Sequence, residues 1–469
     1  MTNYSISSSH NRNKIFLLRH SELEKRLDPF YYVPSLVELE KKVLAKRPKK
    51  LREYVQEIAS GATPKTTESE LYYTDKENGK PFLRVQNLSP TGVLEFDDCK
   101  YINIETHNGM LKRSQVSAGD LLVKITGVGR MAVASVAPEN FDGNINQHIC
   151  VIKTGSKEMS EMLASFLNSD IGEKLASRRS TGGTRPALDY PALLSIPILT
   201  NKRIVEISNR VIEEKKRNEA AAKKLLKSID DYLLEELEIE LPLSPENDLK
   251  TNVFKISIKE ISGKRFDPEY YDPEIIKRIK LISNHKYAVT LKKIYSSIAT
   301  GFNNKTRFQT DGIQFLRTQN VRPIELDISN TLYTADEVVR LTNFGDLLFT
   351  RIGVGVGDVA FNDKGIYAIS DNVICLSLKD KTIGKYVSFF LNTALGKSLL
   401  KREKRDTARA IISYENILNL PVPIPPINKQ NEIVSQITII RKQVQELKDK
   451  TEGVLKSASK EIEKILLQD

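Results

Sequence analysis

Through residues 51–155, short apolar runs alternate with Gly, Asn and Asp, a pattern of strands joined by turns. Upstream, Ile15–Leu18 reads as a short strand. A turn follows at Asp28-Pro29, and the spacing around Leu36–Ala45 predicts a charged amphipathic helix. Glu161–Arg179 carries Met162, Phe166, Leu167, Ile171 and Leu175 at helical spacing, and Pro186, Pro191 and Pro197 then punctuate a loop. A second series runs in the same order. It predicts strands over 290–378, a helix from Ile383 to about Arg402, and a Pro-rich exit at Pro421-Val422-Pro423-Ile424-Pro425-Pro426. Each series ends in a long stretch without Pro. Asn201–Ile239 also lacks Gly, and Asn428–Gln468 holds Gly453 alone. In the second stretch Ile433, Ile437, Ile440, Val444, Leu447, Thr451, Val454 and Ala458 alternate steps of four and three, a heptad seam. The first seam is looser: Ile204, Ile207, Val211, Asn218, Ala221, Leu225 and Tyr232.

A helix with one apolar seam needs another seam to cover it, and the two helices are natural mates. Short connections make such a pair antiparallel. About 38 residues at 1.5 Å each span roughly 57 Å, so the expected form is two globular heads on a rod. The competing form packs each helix on its own domain.

The two series share wording as well as order. Lys25-Arg26-Leu27-Asp28-Pro29-Phe30-Tyr31-Tyr32 returns as Lys264-Arg265-Phe266-Asp267-Pro268-Glu269-Tyr270-Tyr271. Phe82-Leu83-Arg84-Val85-Gln86-Asn87 returns as Phe315-Leu316-Arg317-Thr318-Gln319-Asn320. Gly119-Asp120-Leu121-Leu122 and Gly127-Val128-Gly129 return as Gly345-Asp346-Leu347-Leu348 and Gly353-Val354-Gly355. Phe166-Leu167-Asn168 returns as Phe390-Leu391-Asn392, and the offset drifts only from 239 to 224 residues. The repeat is a whole domain rather than the 20–50 residues of a solenoid, so the chain is a tandem duplication. The expected class is α+β: two similar mixed α/β domains joined by an antiparallel coiled coil of two long helices.

Composition adds a partner class. The 469 residues carry a formal net charge of +11, which suits a polyanionic partner such as nucleic acid or an anionic membrane, or else a merely basic surface. The N-terminus is polar, no apolar run reaches the ~18–20 residues of a membrane span, and three cysteines make no disulfide framework. A cytoplasmic protein with no membrane association is expected. Cys150 and Cys375 fall at matching positions and read as small buried side chains.

No catalytic constellation is visible. The five histidines are scattered and unmatched across the repeat, so neither a catalytic residue nor a metal site is expected. Gly353-Val354-Gly355-Val356-Gly357 lacks the Lys-Ser/Thr of a phosphate loop, and no matched acid follows it or Gly127-Val128-Gly129-Arg130. These glycines suit a tight turn where backbone approaches something closely. Lys124 precedes one such loop and Arg351 the other. Two basic loops also match: Arg178-Arg179-Ser180-Thr181-Gly182-Gly183-Thr184-Arg185 and Arg402-Glu403-Lys404-Arg405-Asp406-Thr407-Ala408-Arg409. Their guanidinium, hydroxyl and backbone donors suit phosphates and guanine edges, although a helix C-terminus also favours Arg and Lys. Arg84, Gln86 and Asn87, with Arg317, Gln319 and Asn320, offer bidentate donors for guanine and adenine, or else close a turn after a strand.

At this point the chain resembles the specificity subunit of Type I restriction-modification systems over essentially its whole length. Ile58-Ala59-Ser60-Gly61-Ala62-Thr63-Pro64-Lys65, Tyr72-Tyr73 and Pro81-Phe82-Leu83-Arg84 are similar to the usual start of a recognition domain in that family. The Gly-Asp-Leu-Leu strand, the Gly-Val-Gly loop, the Phe-Leu-Asn helix and the Pro423-Ile424-Pro425 exit match as well. Gly301-Phe302-Asn303-Asn304-Lys305 departs by lacking the Thr-Pro. The resemblance implies target-recognition domains at 1–200 and 252–426, spacer helices at 201–240 and 427–469, and a linker at 241–251. It implies a non-catalytic, cofactor-free subunit that reads a bipartite target in double-stranded DNA. The implied partners are DNA methyltransferase (modification) subunits, two of them, and an ATP-dependent restriction subunit. DNA contacts are expected from Lys65, Arg84, Gln86, Asn87, Lys124, Gly127, Gly129, Arg130, Ser180, Thr181, Gly183, Thr184 and Arg185. In the second half they are expected from Lys305, Arg317, Gln319, Asn320, Arg351, Gly353, Gly355, Arg405, Thr407 and Arg409. Three other readings stand beside this one: the specificity part of a Type IIB-like or methylation-only system, a duplicated nucleotide-binding enzyme, and a membrane-surface scaffold. The helices are too balanced in charge for the last.

Overall fold

A computed structural model describes residues 10–24, 26–241, 254–261, 265, 267–302, 308–334, 340–353, 355–404 and 410–468. The chain divides into two compact units, Met1–Glu219 with Lys448–Asp469, and Ala220–Leu447. Each unit draws its long helical segments from both ends of the duplication.

In the first unit a four-stranded sheet runs in the order Glu57–Ser60, Ile149–Lys153, Leu121–Lys124, Ala134–Val136, every pairing antiparallel. Leu121–Lys124 is buried along its length, because helices cover one face of the sheet and a second sheet the other. That second sheet has five strands, with Lys80–Leu83 parallel to Asp142–Ile145 at its middle. The second unit repeats the frame. Tyr295–Thr300, Val373–Leu378, Leu347–Thr350 and Val359–Phe361 form the same antiparallel order, and Ile313–Leu316 runs parallel to Ala368–Ile369. Cys150 and Cys375 lie fully buried in equivalent strands. Burial pushes the Cys150 thiol up to about 12.

Two repeated words of the sequence prove to be fastenings. Gly119 and Gly345 turn at φ +83° and +88°. The following Asp then accepts backbone N–H bonds, Asp120 from Ser117 at 2.8 Å and Asp346 from Asn343 at 2.7 Å. Arg26 forks onto Asp28 at 2.7–2.8 Å and donates to the carbonyls of Arg179 and Ser180, both at 2.8 Å. Arg178 stacks over Tyr31 with its guanidinium carbon 4.0 Å from the ring centre. In the second unit Arg265 forks onto Asp267, donates to the carbonyls of Arg402, Glu403 and Lys404, and Arg402 stacks over Tyr270 at 3.9 Å. The Arg-x-Asp-Pro-x-Tyr-Tyr motif therefore clamps the C-terminal end of a helix, whose last carbonyls would otherwise lack donors.

Helices occupy Lys202–Glu236 and Ile427–Leu467, close to the expected spans. In the first unit Ile204, Ile207 and Val211 share a core with Ala458, Ile462 and Leu466. Arg210 pairs with Glu461 at 3.0 Å and Asn218 donates to Thr451 at 3.0 Å, so the two segments run antiparallel. In the second unit Ile229 and Leu233 share a core with Ile433, Ile437 and Ile440. Within each unit the segments thus pack on each other and on the domain beside them.

Two expectations need correction. Ile15–Leu18 is not a strand; Ile15 and Leu17 are exposed and, among the described residues, no strand pairs with them. The single helix expected over Glu161–Arg179 is two, Lys157–Leu167 and Asp170–Arg179. Ser169 caps the second, its Oγ accepting from the Gly172 N–H at 3.0 Å. A Cβ on Gly172 would lie 2.1 Å from the Phe166 carbonyl oxygen, so glycine permits the tight corner. The second unit breaks identically, into Gly384–Asn392 and Ala394–Glu403, with Thr393 as the cap.

Candidate nucleic-acid interface

Strand register gathers the expected loops of each unit. Cys150 lies opposite both Ser60 and Val123, and Ile149 lies opposite Lys124. The chain therefore leaves one rim of this sheet in three places: Gly61–Lys65, Asn146–His148 and Thr126–Arg130. The basic loop joins them, since Thr126 and Thr181 both bridge to Ala187 and Gly127 N–H donates to the Pro186 carbonyl at 3.0 Å. In the second unit Gly301, Ser370–Asn372 and Arg351–Gly353 share the corresponding rim. There Ile352 bridges to Ile411, just beyond the second basic loop. In the first unit two loops separated by some fifty residues in sequence are thus neighbours, and in the second the chain that follows the basic loop meets the glycine loop at the equivalent edge.

On the first rim Thr181, Gly183, Thr184 and Arg185 are exposed. Arg185 has no hydrogen bond or ion pair among the described residues, and Lys65 is exposed beside Glu68 at 3.5 Å. Gly127, Gly129 and Gly353 adopt φ +129°, +83° and +107°, conformations that favour glycine. Gly355 instead lies against Asp358, whose Oδ2 would be 2.8 Å from an added Cβ. Burial raises the Asp358 carboxyl above its ordinary range.

Several expected contacts point inward, and these are corrections. Lys124 is 4% exposed, and its Nζ donates to the carbonyls of Val128 at 2.6 Å and Arg130 at 2.9 Å. Burial lowers its pKa from the ordinary lysine value. Its ammonium braces the loop from beneath and is not offered to a phosphate. Arg130 donates to Asp170 at 3.0 Å and to the Asn168 carbonyl at 2.8 Å, which fixes the loop to the helix corner. Asn87 and Asn320 are each 1% exposed. Asn87 accepts from Arg84 N–H and donates to the Glu95 carbonyl; Asn320 accepts from Arg317 N–H and donates to the Asp327 carbonyl. Both amides close a turn and have nothing left for a base edge. Arg84 pairs with Asp98 at 3.0 Å, and Gln86 donates to the same carboxylate at 3.1 Å. Ser180 ends a helix, its Oγ donating to the Ser177 carbonyl at 2.7 Å. Arg351 donates to the Asp371 carbonyl at 3.2 Å, and Gln319 is exposed. Lys305, Arg405, Thr407 and Arg409 lie outside the described residues.

The rim also holds residues that sequence reasoning missed. Gln147 is exposed in the Asn146–His148 turn and accepts from the Thr63 hydroxyl, while Asn146 Oδ1 accepts from His148 N–H at 3.1 Å. The Asn three residues before the next strand was the available signal. Arg178 and Arg179 do not belong to the exposed loop. They are 6% and 9% exposed, and both pair with Glu40, itself 8% exposed.

Among the described residues no group of three or more His, Cys, Asp and Glu could hold a metal ion, and no helix is long and apolar enough to cross a membrane. Residues 269–456 match the family model for the Type I restriction modification DNA specificity domain. The Type I restriction enzyme EcoEI specificity subunit of Escherichia coli is 31% identical over 116 residues, covering 23% of this chain. That match spans 20% of the relative's length. Among solved structures, a chain of a type I R-M system is 16% identical with a TM-score of 0.46, covering 89% of this chain and 95% of that one. The Type-I restriction-modification system S subunit from M. genitalium is 13% identical with a TM-score of 0.41, covering 90% and 94%. With its matched half folded on the frame that the first half repeats, the chain carries a Type I restriction modification DNA specificity domain at residues 269–456.

Proposed function

We propose that this chain is a sequence-reading subunit that binds a bipartite DNA target, one part at the loop rim of each unit, and directs modification and restriction by partner subunits. The observation that carries the reading is the paired rim. In both units a glycine loop and the chain bordering a basic loop meet at the same sheet edge, and in the first the exposed donors Thr184 and Arg185 stand there without internal partners among the described residues. Duplicated rims suit two separate stretches of one long polyanion, and the net charge of +11 has the sign to draw it in. On this reading the chain performs no turnover itself, acts in the cytoplasm, and leaves methyl transfer, ATP hydrolysis and cleavage to methyltransferase and restriction subunits that assemble with it.

Arg185 supplies the test. A phosphate-binding Arg weakens all duplexes alike, and its loss lowers the slope of log affinity against log salt by about one unit. Arg185→Ala is expected to do this with an unchanged unfolding temperature, because the guanidinium has no internal partner to lose. Target affinity measured across salt concentrations, beside a melting curve, decides the matter. Unchanged affinity and slope would remove Arg185 from the interface.

A further inference from the structure

We propose that Val128 reads DNA by contact with the C5-methyl group of a thymine, and that Lys124 is the positioning residue that holds it there. This rests on the DNA-reading role proposed above and assigns one chemical feature of the target to the first rim.

Val128 is 76% exposed at the tip of its loop. An apolar side chain in water contributes nothing to folding, yet this one is held firmly. The Lys124 ammonium grips the carbonyls on either side of Gly129, at Val128 and Arg130. Arg130 ties the far end of the loop to Asp170 and Asn168, and Gly127 N–H ties the near end to Pro186. The flanking glycines bend the backbone outward at positive φ, and a Cβ at Gly129 would meet nothing within 4 Å. Burying a lysine costs free energy, and it does so here beneath a loop whose exposed tip is apolar.

Base edges in the major groove offer donors, acceptors and one apolar feature, the thymine methyl. A fixed valine on the loop that Gly127 ties to Pro186, the residue after Thr184 and Arg185, suits that feature. The lysine has no counterpart at the matched strand position of the second half. Aligning the two Gly-Asp-Leu-Leu strands puts Thr350 where Lys124 stands, and among the described residues the Thr350 hydroxyl has no hydrogen-bond partner. A lysine at this position in one half only suits a device that sets what that half of the target must be.

Deoxyuridine differs from thymidine by that methyl alone. The test binds the full chain to its target duplex, with each thymine of the first unit's half-site replaced in turn by deoxyuridine. One replacement is expected to weaken the unsubstituted chain by about fourfold, the value of one buried methyl, and to leave Val128→Ala unaffected. Lys124→Met, which keeps the stem and removes the donors, is expected to lose the same discrimination. A half-site in which no deoxyuridine effect depends on Val128, or one lacking thymine, overturns the proposal. A folded Lys124→Met chain that keeps the discrimination overturns the positioning role. Failure of the unsubstituted chain to distinguish its target from scrambled duplex would instead sink the underlying DNA-reading role, and that arm is read separately.

Discussion

Glu40→Ala is expected to lower the unfolding temperature of the first unit by about 6–20 °C, from a loss of about 3–5 kcal/mol in a unit of this size. Glu40 is the shared counter-ion of Arg178 and Arg179, and all three are buried. Removing it leaves two guanidinium groups under the fold with no carboxylate between them. Arg178 would keep its bond to the Tyr31 carbonyl at 2.8 Å, and Arg179 its bonds to Ser195 and Leu175 at 3.0 Å. Those partners are neutral, and they do not balance two charges. The second unit solves the same corner differently. Aligning the repeated helices puts Ile279 at the place of Glu40, and Glu403 at the place of Arg179, where it pairs with Arg402 at 3.2 Å. Ile279→Ala therefore removes packing only and is expected to cost less. A calorimetric scan of Glu40→Ala within a degree or two of the unsubstituted chain would show that the triad is not a structural keystone.

A second large effect is expected at Gly61 and Gly301, which begin the loops on the two rims. A Cβ on Gly61 would lie 1.8 Å from the Ile145 carbonyl oxygen, and one on Gly301 would lie 1.7 Å from that of Ile369. Both obstacles are backbone in a strand of the neighbouring sheet, so no side chain can swing away. Gly61→Ala and Gly301→Ala are each expected to cost about 3 kcal/mol or more, the upper part of the range for overpacking. Gly183→Ala is the control on the same rim: its Cβ would meet nothing within 4 Å and its φ is not positive. Equal melting curves for Gly61→Ala and Gly183→Ala would contradict the close approach. The distinction matters for function, because a glycine at a rim can be read as leaving room for DNA. Here Gly61 and Gly301 leave room for the protein itself.

The duplication and the two long helices were legible because they are written in order and period, which survive without knowledge of partners. The seam from Ile433 to Val444 is buried as its spacing requires, and the Gly-Asp-Leu-Leu strands lie where alternation with turn residues puts them. The break at Ser169 was not legible, since Phe166, Leu167, Ile171 and Leu175 keep helical spacing across it and are all buried. The rim itself was partly legible. Matching loops pointed to Gly127–Arg130 and Thr181–Arg185, but composition does not tell which donors face out. Lys124, Arg130, Asn87 and Asn320 are polar residues beside glycines or turns, as a DNA-reading set would be. Each is consumed by a carbonyl or carboxylate that local geometry brings within 3.0 Å. Backbone carbonyls that need donors are invisible in a sequence, and they claim basic and amide side chains first.

Each unit is expected to read its own part of a split target. The test exchanges residues 51–200 for the corresponding segment of another chain that carries the same specificity domain, and maps the methylated sequence after assembly with methyltransferase subunits. The expected result is a new sequence in one part of the target, with the other part and the activity retained. A simultaneous change in both parts, or an unchanged target from an active complex, would contradict independent reading by the two rims.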